Sequence, residues 1–203
     1  LPIGVTAVAE VGAYLGTTIY AATRGAADAA AHVLVLRVAG VAYAIPMAIL
    51  QASMVRMARA DTLADRDLQR SVVRSSLLLG SAGGILLCAC LAAAADPIAI
   101  TFLGMGQISA TVGLAAGLLL LLGVIELFEG PCLAAAGLLR GRTDTRAPML
   151  FTILGNWAIG VPLGIYLCEV QQMGITGVWT GLLVGMAVTT LLSLARLSQS
   201  MMR

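Results

Sequence analysis

The sequence predicts an all-α integral membrane protein, a bundle of six transmembrane helices. Three observations predict it. Of the 203 residues, 60% are hydrophobic and only 11% are charged, whereas a soluble domain has roughly 45–50% apolar and about 25% charged residues. The mean hydropathy is +0.98. The polar residues gather into short connectors, leaving six apolar stretches, each near or above the ~20 residues that cross a hydrocarbon core at about 1.5 Å per residue.

The spans expected are 3–23, 29–55, 71–95, 108–139, 148–168 and 174–197, and together they make one domain over 1–203. The second and fourth are too long for a straight crossing, and each holds a proline, Pro46 or Pro131. Proline has no N–H, so the carbonyl four residues back, on Ala42 or Leu127, loses its helical partner and the helix bends. Glycines recur at four-residue spacing: Gly12/Gly16, Gly80/Gly84, Gly113/Gly117, Gly160/Gly164 and Gly177/Gly181/Gly185. Such pairs let membrane helices approach closely. Packing inside the bundle and a seam against a second six-helix unit, along the last helix, are both open to them. Leu1 begins within an apolar pattern with no basic n-region before it, so a segment of a longer chain without a signal peptide is expected.

The connectors give an orientation. All 12 basic residues are Arg, and ten lie on one side: Arg56, Arg59, Arg66, Arg70 and Arg74, then Arg140, Arg142 and Arg146, then Arg196 and Arg203. The other connectors hold Arg24, Asp28 and His32, then Asp96, then Glu169. The positive-inside rule makes the arginine side cytoplasmic, with both termini there. In the loop 56–74, Asp61, Asp65 and Asp67 offset the arginines. That balance argues for a topology determinant over a lipid-binding or nucleic-acid-binding surface.

Several function classes are excluded. Gly104-Met105-Gly106, in an outer turn, lacks the third glycine and follows no strand, so no nucleotide loop is expected. Any pumping by this chain would draw on an ion gradient. Cys88, Cys90, Cys132 and Cys168 have no metal-ligand spacing and read as small packing residues. His32, at the outer end of the second helix, is read as an interfacial hydrogen-bonding group. Ser81 lies toward the opposite face, so no Ser–His dyad forms and no enzyme is expected.

The chemistry resides in three acids within the apolar spans, Glu10, Glu126 and Glu129. An acid at the centre of a spanning helix costs roughly 2.5–3.5 kcal/mol on insertion scales and marks an ion or substrate pathway. Glu10 lies about 12 Å, and Glu129 about 16 Å, from the cytoplasmic edge at the helical rise, so both fall near mid-membrane. Glu126 precedes Glu129 by one turn, on a shared face. Such oxygens suit a hard cation, and a carboxyl in a dry site can exchange a proton. Arg37, inside the second span, is a candidate cavity-lining residue. It could pair with one of these acids, act as a tethered cation, or snorkel outward.

The sequence resembles the C-terminal half of the multidrug and toxic compound extrusion (MATE) family. The resemblance rests on LPIG (1–4) with Glu10, AAAH (29–32), YAIP (43–46), VR (55–56), AGLLRGRTDTRAPM (136–149), NWAIGVPLG (156–164) and GITGVWTGLLVG (174–185). It implies one lobe of a 12-helix transporter, facing an N-terminal lobe that is absent from this sequence. The implied activity is Na+- or H+-coupled export of cationic or amphipathic small molecules across a bacterial inner membrane, with no other cofactor. Glu10 and Glu129 fall on acidic positions of the family's cation site, where Na+ is an implied ligand, and Glu126 is their neighbour. Besides that absent lobe, two further departures stand out. Arg37 replaces an uncharged polar residue, and the family's glycines after the eighth helix are missing from Met57–Asp67. Two other readings stay open: an exporter or flippase of lipid-linked or polysaccharide substrates, and a non-transporting membrane half.

Overall fold

The computed structural model describes residues 2–104 and 109–202. Met105 and Gly106 of the expected outer turn lie outside them, as do Leu1 and Arg203. Helix α1 is Pro2–Arg24, α2 Ala26–Ala42, α3 Ala44–Thr62, α4 Arg66–Leu103 and α5 Ser109–Gly141. Helix α6 (Arg146–Thr152) runs through a π-helical stretch, Ile153–Gly160, into α7 (Val161–Glu169), and α8 is Ile175–Met202. The all-helical bundle expected from composition is what forms.

The departures have local causes. The second span, expected at 29–55, is one span, Ala26–Thr62, interrupted for a single residue at Tyr43, three residues before Pro46, where the Ala42 carbonyl lacks its donor while the backbone stays in the right-handed helical region. By contrast, α5 continues through Pro131. The third span, expected to stop at residue 95, runs on through Asp96 and Pro97 to Leu103. There the Thr101 hydroxyl donates to the Pro97 carbonyl at 2.7 Å. Gly104, with φ at 82°, ends the helix. Among the described residues, five helical segments are long and apolar enough to cross a membrane, with Ala26–Thr62 and Arg146–Glu169 each counting as one. Helix α1, the first of the six spans expected, has the length at 23 residues, but Glu10, Arg24 and four threonines make it less apolar than these five.

Helix α5 is the centre of the bundle and packs against α2, α3, α4 and α8. Lipid tails are as apolar as leucine, so burial alone does not drive such helices together; close van der Waals approach does. Glycine supplies it. A Cβ on Gly80 of α4 would stand 2.6 Å from the Gly130 carbonyl oxygen of α5, and one on Gly84 would overlap the Glu126 carbonyl oxygen. On the other side, Gly177, Gly181 and Gly185 of α8 pack into the bundle against Cys168, Gly164 and Gly155. The alternative seam to a second unit along these glycines is thereby corrected. Gly16, Gly113 and Gly117 meet nothing within 4 Å.

The loop 142–145, between α5 and α6 within AGLLRGRTDTRAPM, is a latch at one end. Thr143 takes the left-handed conformation, with φ at 65°, and Asp144 accepts from the Ala147 N–H at 3.2 Å and from Arg196 Nε at 2.9 Å. Arg142 lies 3.9 Å from Asp61. The loop thus joins α3, α5, α6 and α8. At the far end, Glu169 accepts from Tyr20 and from Arg24. His32, read as a hydrogen-bonding group, is fully buried within the protein. Trp179 Nε1–H donates to its Nδ1 at 3.1 Å, and Thr18 lies 3.0 Å from its Nε2.

Candidate functional site

A cavity of about 480 Å³ opens between α1, α2, α3, α5, the π-helical stretch and α8. Its polar lining comes from Glu10 and Tyr14 on α1, Tyr43 at the break, Glu129 and Arg140 on α5, and Asn156 in the π-helical stretch. Thr6 of α1, Gln51 of α3, Thr152 of α6 and Thr189 and Ser193 of α8 add to it. Glu10 is partly buried, and its Oε2 accepts from the Tyr43 hydroxyl at 3.3 Å. Glu129 is 5% exposed.

The fold explains these placements. Tyr43, at the interruption between α2 and α3, reaches Glu10 across the cavity. Trp157, beside Asn156, donates its indole N–H to the Ala9 carbonyl at 2.8 Å, which ties the π-helical stretch to the turn of α1 that carries Glu10. A π-helical insertion changes helix register and is frequent at functional sites. Thr189 donates to the Gly185 carbonyl at 2.9 Å.

The expected residues are not all brought together. Glu10 and Glu129 share the cavity. Glu126 is outside its lining, buried, with Oε2 unpartnered among the described residues. Arg37 is exposed, is absent from the lining, and makes no ion pair among the described residues. The basic group in the cavity is instead Arg140, read from the sequence only as a loop charge. Its Nε is buried and unpartnered among the described residues. A signal for it existed: Arg140 follows Glu129 by 11 residues, about three helical turns, and so shares its face.

Chemically, the site gathers two carboxylates, hydroxyls and amides, the oxygen set a hard monovalent cation or a proton uses. Among the described residues no group of three or more His, Cys, Asp or Glu side chains is clustered to hold a metal ion. The oxygen donors that line the cavity are the Glu10 and Glu129 carboxylates, hydroxyls and amide oxygens.

Fold and cavity together define one lobe of a helical membrane protein, open around paired acids. Residues 2–166 match the family profile described as MatE, and the chain belongs to that family. It is 30% identical over 203 residues to a probable multidrug resistance protein NorM of Xanthomonas axonopodis pv. citri (strain 306), covering 100% of this chain and 44% of that protein. To the multidrug resistance protein NorM of Burkholderia vietnamiensis it is 35% identical, over 94% of this chain and 42% of that one. The chain thus spans less than half the length of these curated relatives. Among solved structures, one of MATE in the bent conformation aligns with a TM-score of 0.86 at 22% identity, covering 95% of this chain and 42% of that one. The eukaryotic MATE transporter AtDTX14 aligns at 0.87 and 18% identity, covering 96% and 43%. At these identities the likeness is one of fold.

Proposed function

We propose that this chain is the C-terminal lobe of a cation-coupled multidrug antiporter that exports organic cations by alternating access, with Na+ or H+ as the coupling ion. The observation that carries the reading is the pairing of Glu10 and Glu129 in one cavity with oxygen donors around them. Na+ or a proton neutralises the carboxylates, whereas an organic cation needs them ionised. Ion and substrate therefore disfavour one another, and by linkage each lowers the other's affinity by the same factor. A second six-helix lobe would complete the transporter, a reading supported by relatives more than twice as long as this chain. The arginine-rich end is read as cytoplasmic, with both termini there, in a bacterial inner membrane. Thr62→Cys should then label from the cytoplasmic side and Gln171→Cys from outside.

In the full-length protein, Glu10→Gln should abolish ion-driven efflux of an organic cation while the protein stays inserted and folded. Unchanged efflux would reduce Glu10 to a structural group. Arg140 in the lining favours a second reading, export of an anionic lipid-linked substrate. Loss of a phosphorylated amphiphile's transport in Arg140→Gln, with no organic-cation transport in the parent, would move the assignment there.

A further inference from the structure

Helix α4 is longer than a membrane requires. Its 38 residues extend about 57 Å at the helical rise, against a hydrocarbon core of about 30 Å. The excess at its N-terminal end is basic. Arg66, Arg70 and Arg74 follow one another at four-residue spacing, and Leu78, Ala82 and Leu86 continue the same row. All six are exposed. One ridge thus carries three guanidinium groups and then, one turn deeper, an aliphatic track.

Two of the three acids that balance this charge in the linear sequence are engaged elsewhere, and the third makes only an exposed pair with Arg70. Asp65 is the N-cap of α4 and accepts from the backbone N–H groups of Asp67 and Leu68 at 3.0 and 2.9 Å. Asp61 faces Gln69 and Arg142. Asp67 pairs with Arg70 at 3.3 Å, with both side chains highly exposed, the geometry of a pair that contributes little. Arg66 and Arg74 have no ion pair among the described residues. Helix α3, packed beside α4, adds the exposed Arg56 and Arg59.

We propose that this ridge binds an anionic glycerophospholipid of the leaflet at that end, its phosphate held by Arg66, Arg70 and Arg74 and an acyl chain lying along Leu78, Ala82 and Leu86. Guanidinium forks match phosphate oxygens in pairs. The aliphatic residues continue the same inclined row, which advances about 40° around the helix at each step, and ask for a ligand whose charge is joined to a flexible chain, as a free phosphate's is not. The site is separate from the acid cavity and stands whether or not the transport reading holds.

The test is native mass spectrometry of the purified full-length protein in detergent, with dioleoylphosphatidylglycerol and dioleoylphosphatidylcholine as probes. Phosphatidylglycerol should be retained preferentially. Each arginine replaced on the ridge should lower retention by about fivefold, as expected for a basic residue at an anionic surface. Arg74→Gln alone should show one such step, and the combined Arg66→Gln, Arg70→Gln, Arg74→Gln variant the largest loss, with glutamine preserving the helix. Arg146→Gln, an exposed arginine on α6, should change nothing. Equal retention of the two lipids, unchanged binding in Arg74→Gln, or an equal loss in Arg146→Gln would overturn the proposal. Competition by glycerol phosphate as strong as by the lipid would overturn it too, in favour of a phosphate site.

Discussion

Two faces of α5 solve opposite problems with the same backbone. Toward α4 the face is closed: Gly130 and the Glu126 carbonyl meet Gly80 and Gly84 at backbone contact, leaving no room for a side chain. Toward α1 and α8 it is open: Leu122, Glu129, Leu133, Ala136 and Arg140 look into the cavity. The closed face holds the lobe together by contact at close range, and this firmness lets the open face carry a carboxylate and a guanidinium without collapsing around them.

The comparison breaks most readily at the closed face. Gly84→Ala or Gly130→Ala puts a methyl group against a backbone carbonyl that cannot move aside. A loss of about 1–3 kcal/mol is expected, the range for overpacking, read as a lower thermal midpoint in detergent. On the open face, Glu129→Gln should leave that midpoint in place and, under the proposed function and in the full-length protein, reduce ion-driven efflux by about tenfold or more, equivalent to ~1.4 kcal/mol. Glu126→Gln, outside the lining, should leave most efflux intact. Gly117→Ala sharpens the contrast, because no atom lies within 4 Å of its Cβ and alanine is the better helix former by up to about 1 kcal/mol. Its midpoint should hold or rise. The smallest effect belongs to Arg37→Asn, which should leave the pH profile of transport unmoved, since Arg37 does not line the cavity. A displaced profile would return it to the site.

Much of this was legible in the residues. Hydropathy marks the helices, Pro46 marks the break, and acids in apolar spans mark the cavity. Less legible was which acid faces inward. Glu126 and Glu129 are one turn apart, so spacing alone puts them on a common face. The lining runs instead through Leu122, Glu129 and Ala136, seven apart, and Glu126 stands about 60° off the centre of that row at 100° per residue. Arg140 was obscured by its neighbours, because Arg142 and Arg146 make the segment read as a loop although α5 continues to Gly141. Asp96-Pro97 read as a connector for a similar reason. Asp and Pro are turn residues in water, but at the far end of a helix already 30 residues long they ride on a backbone held by α5.

The π-helical stretch Ile153–Gly160 makes this lobe sensitive to the number of its residues as well as their kinds. A residue deleted there would let the turn relax to α geometry and swing everything before it by about 100° relative to α7. Asn156 would leave the cavity, Trp157 would lose the Ala9 carbonyl, and Asp144 would turn from Arg196. Over these eight residues, length is itself a specified property, and chains of this kind should accept substitutions there more readily than gaps.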